Sequence, residues 1–438
     1  MNAQQFSAMR EIAREIFIRT LAEIELPRIL KQQMDYSRGI LRIGEDLHDL
    51  SSYSRVVVVS IGKAAQPMVE GLTAMTGPGL SGIVVSSQPP QRQAHGFRYF
   101  QGGHPLPTTE SVHAAEAILK MLRSLKEHAL AIYLISGGAS AMVEKALDAE
   151  VPLNDLAATY HALVNSGAPI REINTIRKHL SAIKGGRMAQ AAYPAQQVSV
   201  LVSDVPENAL DSLASGPTMP DPSTTEECYE IAERYGLLPS LPQSVRELFE
   251  QRALEETPKK DDPAFVRSRW WTVLSSSTAA KAAAGIASQH SFAVAIENGC
   301  DDWDYREAAD YLIDKLRSLQ KGVSRACIIS AGEVTVKVTG SGGRGGRNQQ
   351  FALYCAEKIA GENIVILSAG TDGADGNSHA AGAIADGSTM QRAIQAKLNT
   401  AAALQNFDST PFFEALEDAI VTGPTGNNVR DLRVLLAW

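Results

Sequence analysis

No stretch of the 438 residues is a long apolar run; the ~18 or more consecutive hydrophobic residues that span a bilayer are missing. There is no CxxC pair. The four cysteines, Cys228, Cys300, Cys327 and Cys355, are widely scattered, which argues against both a zinc site and a disulfide framework. Positive charge is in deficit: 41 Lys and Arg face 49 Asp and Glu, for a net charge of −8. No basic surplus is therefore available to neutralise a nucleic acid or an anionic membrane surface. The opening MNAQQFSAMREIAREIF carries acidic residues and no continuous apolar core, unlike a secretory leader. A cytoplasmic protein acting on small molecules is expected, with no nucleic-acid or membrane partner and a homodimer left open. Several catalytic signatures are also missing. IGKAA around Lys63 lacks the earlier glycine and the following Ser/Thr of a Walker A loop, and GASAM is not a GxSxG nucleophile elbow. His104, His113 and His179 have no metal-ligand spacing, and no Glu completes an EF-hand after Asp372 and Asp375.

What is present is an alternation of apolar strands and helices. The first helix covers 1 to about 35, with Ile12, Ile16, Leu21 and Ile24 at helical spacing. VVVVS at 56–60, GIVVSS at 82–87, LAIYLIS at 130–136 and QVSVLV at 197–202 read as buried strands, with Thr109 capping a helix through Leu125 and a helical region over 153–192. Continuous apolar strands separated by helices imply a parallel sheet covered on both faces. This first domain is expected over 1–235. Residues 236–265, with Pro239, Pro242, Pro258, Pro263 and the run ETPKKDDP, read as an exposed linker. A second domain over 266–438 restarts at WTVLSS. VTVKV at 334–338 alternates Val334, Val336 and Val338 with Thr335 and Lys337, the pattern of a half-exposed strand, so its sheet is expected to be mixed.

Glycine-rich turns follow or lie close to the strands: SIGKAA, SGGAS, SDVPE, GSGGRGGR, AGTDG and TGPTGNN. In open α/β sheets ligands bind outside the carboxyl ends of the strands. Residues 340–347 hold five glycines with Arg344 and Arg347, backbone freedom beside rigid forks of donors, which suits an anion. Lys63 ends a strand with little bulk around it and can reach a phosphate. Asp372, and Asp204 in a similar strand-end position, could orient a hydroxyl or hold Mg²⁺. Arg171, Arg177, Lys178, Lys184 and Arg187, with Lys-Gly-Gly-Arg breaking the helix, suggest a second anion contact. Gly340, Gly342 and Gly345 also match GxGxxG, leaving open a nicotinamide-dependent reductase that uses the 340–345 loop.

Taken together and in order, IGKAA, GGHPLP, LISGGASA, EINTIRKHLSAIKGGRMA, SDV, ASGPTMPDPSTT, ETPKKDDPAF, GGRGGRNQ, LSAGTDGADG, AAGAI and TGPTGNNV resemble the glycerate 2-kinases of the MOFRL type over nearly the whole chain. The resemblance implies two α/β domains, one a doubly wound, Rossmann-like parallel sheet and one with a mixed sheet, and an active-site cleft between them. It implies phosphorylation of D-glycerate at its 2-hydroxyl by ATP with Mg²⁺ or another divalent metal. By motif, Lys63, Arg347 and Asp372 match the catalytic positions. Ser136, Gly137, Gly138, Ser140, Arg177, Lys184, Arg187, Arg344 and Asn348 are the expected substrate or phosphate contacts, and Asp204 and Asp372 the metal candidates. Members of the family are often labelled hydroxypyruvate reductases, the same NAD(P)H-dependent alternative. The chain departs from the family pattern at SDVPEN, at AGEVTV, at Gln350 in place of glutamate and at Thr108 in place of aspartate.

Overall fold

The computed structural model describes residues 3–88 and 92–438. They form two compact units, residues 30–273 and residues 3–29 with 274–438. The first unit begins with a small antiparallel sheet of β1 (Met34–Ser37), β2 (Ile40–Ile43) and β3 (Asp46–Asp49). Its main sheet contains β4 (Arg55–Ile61), β5 (Ser81–Ser86), β6 (Phe97–Gln101), β7 (Ala129–Ser136), β8 (Gln196–Val202) and β9 (Ser268–Leu274), in the order β6-β5-β4-β7-β8-β9. The pairs from β6 through β8 are parallel. All eight residues of β7 are buried, as expected of a central strand with helices on both faces. Val57, Val59 and Ile61 of β4 pack with Ile118 and Leu122 of the helix Thr109–Arg123. That helix is capped by Thr108 in a reciprocal pair with Ser111, one residue before the expected Thr109.

The strand order reverses beside β4. The chain runs outward through β5 and β6, then returns to place β7 on the other side of β4. The carboxyl ends of β4 and β7 therefore form the switch point where open α/β sheets bind ligands.

The second unit is a mixed sheet of β10 (Ala293–Ile296), β11 (Ala326–Ala331), β12 (Ile364–Gly370), β13 (Gly382–Asp386), β14 (Ala419–Ile420) and β15 (Asp431–Ala437), in the order β10-β11-β15-β12-β13-β14. β15 runs antiparallel to both neighbours, β11 and β12. Asp431, its first residue, therefore lies at the carboxyl ends of those strands.

Four expectations about the organisation differ from the structure. The helix Ala3–Glu23 belongs with the second unit, because its apolar face (Phe6, Met9, Ala13, Ile16, Phe17) packs against β12, β15 and the helix Ser276–Gln289. Residues 236–265 are not a free linker, since Leu237, Leu241, Val245 and Phe249 are buried in a core with Leu156, Tyr160 and Ile176. β9 also joins the first sheet, so the unit boundary falls at Val273 instead of in the proline-bearing segment. Residues 334–338 form no strand: Thr335 makes a single bridge to Asp304, while Val334 and Val336 pack against the core without a ladder. The sheet is mixed because β10 and β11 pair in parallel while the remaining pairs are antiparallel, and that segment takes no part in it.

Candidate functional site

In the first unit, β4 delivers Lys63 and β7 delivers Ser136, Gly137 and Gly138 to the switch point. Gly62 has φ +114, and a Cβ there would overlap Ser136, so only glycine permits the two strand ends to meet. The Lys63 amide donates to the Gly137 carbonyl at 3.0 Å, and the Ala64 amide donates to Ser136 Oγ at 2.9 Å. These bonds use Ser136 as a structural acceptor and leave the Lys63 side chain exposed. Its methylenes pass over Gly138, where an added Cβ would lie 3.2 Å from Lys63 Cε. A Cβ on Gly137 would overlap the carboxylate of Asp204, which follows β8. The glycine pair is thus bordered by a cation and a carboxylate. Partial burial, and secondarily the Lys63 charge, lower the proton affinity of His104, so its imidazole is neutral near neutral pH.

The basic stretch at 171–189 turns largely inward. Lys184 is completely buried; it ion-pairs with Glu144 and donates to the Ser140 carbonyl at 2.8 Å. Glu144 also accepts from Tyr160 and Ser181, both at 2.6 Å, and the Arg177 guanidinium stacks 4.8 Å from the Tyr160 ring centroid. Arg187 donates to the carbonyls of Glu255 and Glu256, and Lys178 pairs with Asp211 and Asp221. Lys184 and Arg187, expected to contact an anion, have internal partners instead: Lys184 pins the loop after Gly138, and Arg187 ties to the 255–256 backbone. Ser140 Oγ is 2.9 Å from Ser215 Oγ. The spacing of these charges was legible, but their buried partners, Glu144 and Tyr160, were not.

In the second unit the 340–347 loop does hold anions, and they are the protein's own. A Cβ on Gly343 would overlap Asp408, one on Gly345 would overlap Ser409, and one on Gly346 would overlap Asp375. Asp375 is buried and accepts from the amides of Asn348 (3.0 Å) and Gln349 (2.8 Å), and from both side-chain amides. It thereby caps the helix Arg347–Lys358 from a distant loop. Burial pushes its pKa up to about 6, although the amide hydrogen bonds favour the ionised form. Asn348, expected to contact ligand, is buried with its Oδ1 accepting from Ser368 at 2.6 Å. Arg344 is exposed and pairs with Glu414, while its backbone amide donates to Asp408.

Arg347 makes the most informative set of bonds. Its Nε and Nη2 donate to Asp431 at 2.6 and 3.0 Å, and Nη2 also reaches Glu333 at 2.8 Å. Asp372 is exposed, its Oδ1 accepting from Ala374 at 3.0 Å. Asp372 and Asp431 both border Gly370, so the arginine and Asp372 share one strand end. Glu333 and Asp431 were missed at the sequence level. The available signal was an aspartate between two arginines, R430-D-L-R433, opening an apolar strand. Among the described residues no three His, Cys, Asp or Glu side chains gather as a metal-binding group.

Residues 12–250 match the family described as a domain of unknown function, DUF4147, and residues 326–431 match the MOFRL family. A D-glycerate 2-kinase of Thermotoga maritima is 35% identical over 388 residues, spanning 86% of this chain and 89% of that protein. The chain belongs to the MOFRL-type glycerate 2-kinase family. A putative hydroxypyruvate reductase of Agrobacterium vitis is 38% identical over 389 residues, spanning 87% of each chain. The crystal structure of a glycerate kinase from Thermotoga maritima superposes with a TM-score of 0.84 at 31% identity, covering 99% of this chain and all of that one. No helix among the described residues is long and apolar enough to cross a membrane.

Proposed function

We propose that this protein transfers the γ-phosphoryl group of ATP to the 2-hydroxyl of D-glycerate, giving 2-phospho-D-glycerate and ADP. The observation that carries the reading is the exposed Lys63 side chain lying across Gly138 at the sheet's switch point. Phosphoryl transfer needs positioned positive charge more than covalent chemistry. In this reading Lys63 and Arg347 each offer a cation to phosphoryl oxygens. Asp372 orients the 2-hydroxyl and accepts its proton as the new O–P bond forms and the β–γ bridging oxygen departs with ADP. The amides around Gly137 and Gly138 bind a phosphate or the glycerate carboxylate. A divalent cation such as Mg²⁺ would supply charge neutralisation on the phosphates. Asp204 and Asp372 each offer the single carboxylate that Mg²⁺ uses when phosphate and water complete its shell.

The reductase reading draws less support. A dinucleotide pyrophosphate rests on the free amides of a helix N-terminus that follows a buried strand. Here the amides of Asn348 and Gln349 are taken by Asp375, and residues 334–338 form no strand. The deciding assay supplies D-glycerate, ATP and Mg²⁺, with enolase coupling and no phosphoglycerate mutase. In parallel the protein receives hydroxypyruvate and NAD(P)H. Signal in the first assay is expected. Hydride transfer without ADP formation would overturn the kinase reading.

A further inference from the structure

Arginine has five N–H donors, arranged as two usable edges. In Arg347 the Nε/Nη2 edge is closed by the carboxylate of Asp431 in a two-bond fork. On the other edge, formed by Nη1 and Nη2, the ion partner among the described residues is Glu333, whose Oε1 lies 2.8 Å from Nη2. The two carboxylates differ in surroundings. The Asp431 side chain is 1% exposed, that of Glu333 33% and that of Arg347 37%. Each carboxylate has a second cation at 4.0 Å: for Asp431 it is the wholly buried Arg433, and for Glu333 it is Arg430, which Asp301 and Asp302 already hold. The Glu333 backbone is tethered, its amide donating to Asp301 at 2.9 Å, but its carboxylate has no second close partner among the described residues.

We propose that Asp431 is a positioning residue that braces Arg347 permanently by its inner edge. Glu333 is a resident carboxylate that occupies the outer edge until an anionic phosphoryl group replaces it. This rests on Arg347 meeting the phosphoryl group, as proposed above. The brace fixes a long side chain before the ligand arrives, so its ordering is not charged against the transition state. The placeholder holds a carboxylate against Nη2 in the resting enzyme and leaves into water, because its side chain is already partly exposed.

Two measurements test this. The first is a double-mutant cycle in kcat. Arg347→Ala is expected to slow kcat by about a hundredfold or more. Asp431→Asn is expected to slow it by about tenfold, with KM for both substrates within about threefold. In the Arg347→Ala background Asp431→Asn should change kcat by less than about twofold, because its effect passes through the arginine. An equal loss in both backgrounds overturns the brace. A near-normal Arg347→Ala enzyme instead removes the role of Arg347 itself, which separates the two failures. The second measurement is competitive inhibition by inorganic phosphate. Glu333→Gln should tighten it severalfold, and unchanged or weaker inhibition overturns the placeholder. If Asp431→Asn gives no folded protein, the Glu333 arm, on a half-exposed side chain, decides alone.

Discussion

Asp375 should make the protein less stable as pH rises toward neutrality, opposite to the usual contribution of a paired carboxylate. Its carboxyl is buried beside Asp431, and burial raises its pKa from 3.8 to about 6. Below the unfolded value both states hold the proton and the favourable contribution is complete. Between the two values the folded state keeps a proton that the unfolded chain releases, so stability falls with increasing pH. Above pH 6 the contribution is gone. A difference of about two pKa units corresponds to about 3 kcal/mol. The perturbation is Asp375→Asn, which keeps the shape and removes the titration. Urea unfolding of both proteins from pH 4 to pH 7.5 provides the assay, because titrations common to both cancel in the difference. The stability of the native protein relative to the variant should drop by about 2.5 kcal/mol across that range, the rest of the change lying below pH 4. The amide that asparagine turns toward Gln349 adds a penalty independent of pH and leaves the slope untouched. A difference that is flat or grows with pH would mean that the four N–H bonds outweigh burial, and would refute the reasoning. A costly ionised cap is kept, on this view, because it fixes the helix turn from which Arg347 projects.

Three other outcomes follow from the same geometry. Lys63→Ala should lower kcat by about a hundredfold or more while shifting stability by under about 0.5 kcal/mol, as measured by thermal unfolding, because the side chain is exposed. Gly346→Ala should destabilise by about 1–3 kcal/mol in urea. Gly346 has φ −155, which alanine adopts freely, so the loss would come from the collision with Asp375 and not from backbone strain. Lys184→Met should cost about 3–5 kcal/mol by stranding the buried Glu144, and adding Glu144→Gln should recover part of that loss. A single-variant cost under about 1 kcal/mol would show that Tyr160 and Ser181 suffice to hold the carboxylate.

How far the sequence revealed this arrangement depended on whether the physics was local. β4, β7 and β8 were legible because a strand buried on both faces must be apolar throughout, and the glycines at 62, 137 and 138 follow them directly. The helix Ala3–Glu23 was legible as amphipathic, but its pattern records that a face is buried and not which sheet buries it. Residues 334–338 imitated a strand because Val334 and Val336 pack inward at the correct period, while a ladder needs a partner that only the fold supplies. The 340–347 loop shows the limit most clearly. Its glycines and arginines correctly signalled close approach by anions. The identity of those anions is set by Asp431, 84 positions along the chain, and by Asp375 and Asp408 in other loops. Glycine reports that something must come near, and it reads the same for a ligand's phosphate as for the protein's own carboxylate. The functional content of such a loop therefore lies in the donors left over once the internal carboxylates are satisfied. At Arg347 that is the Nη1/Nη2 edge, which Glu333 borders as an ion pair.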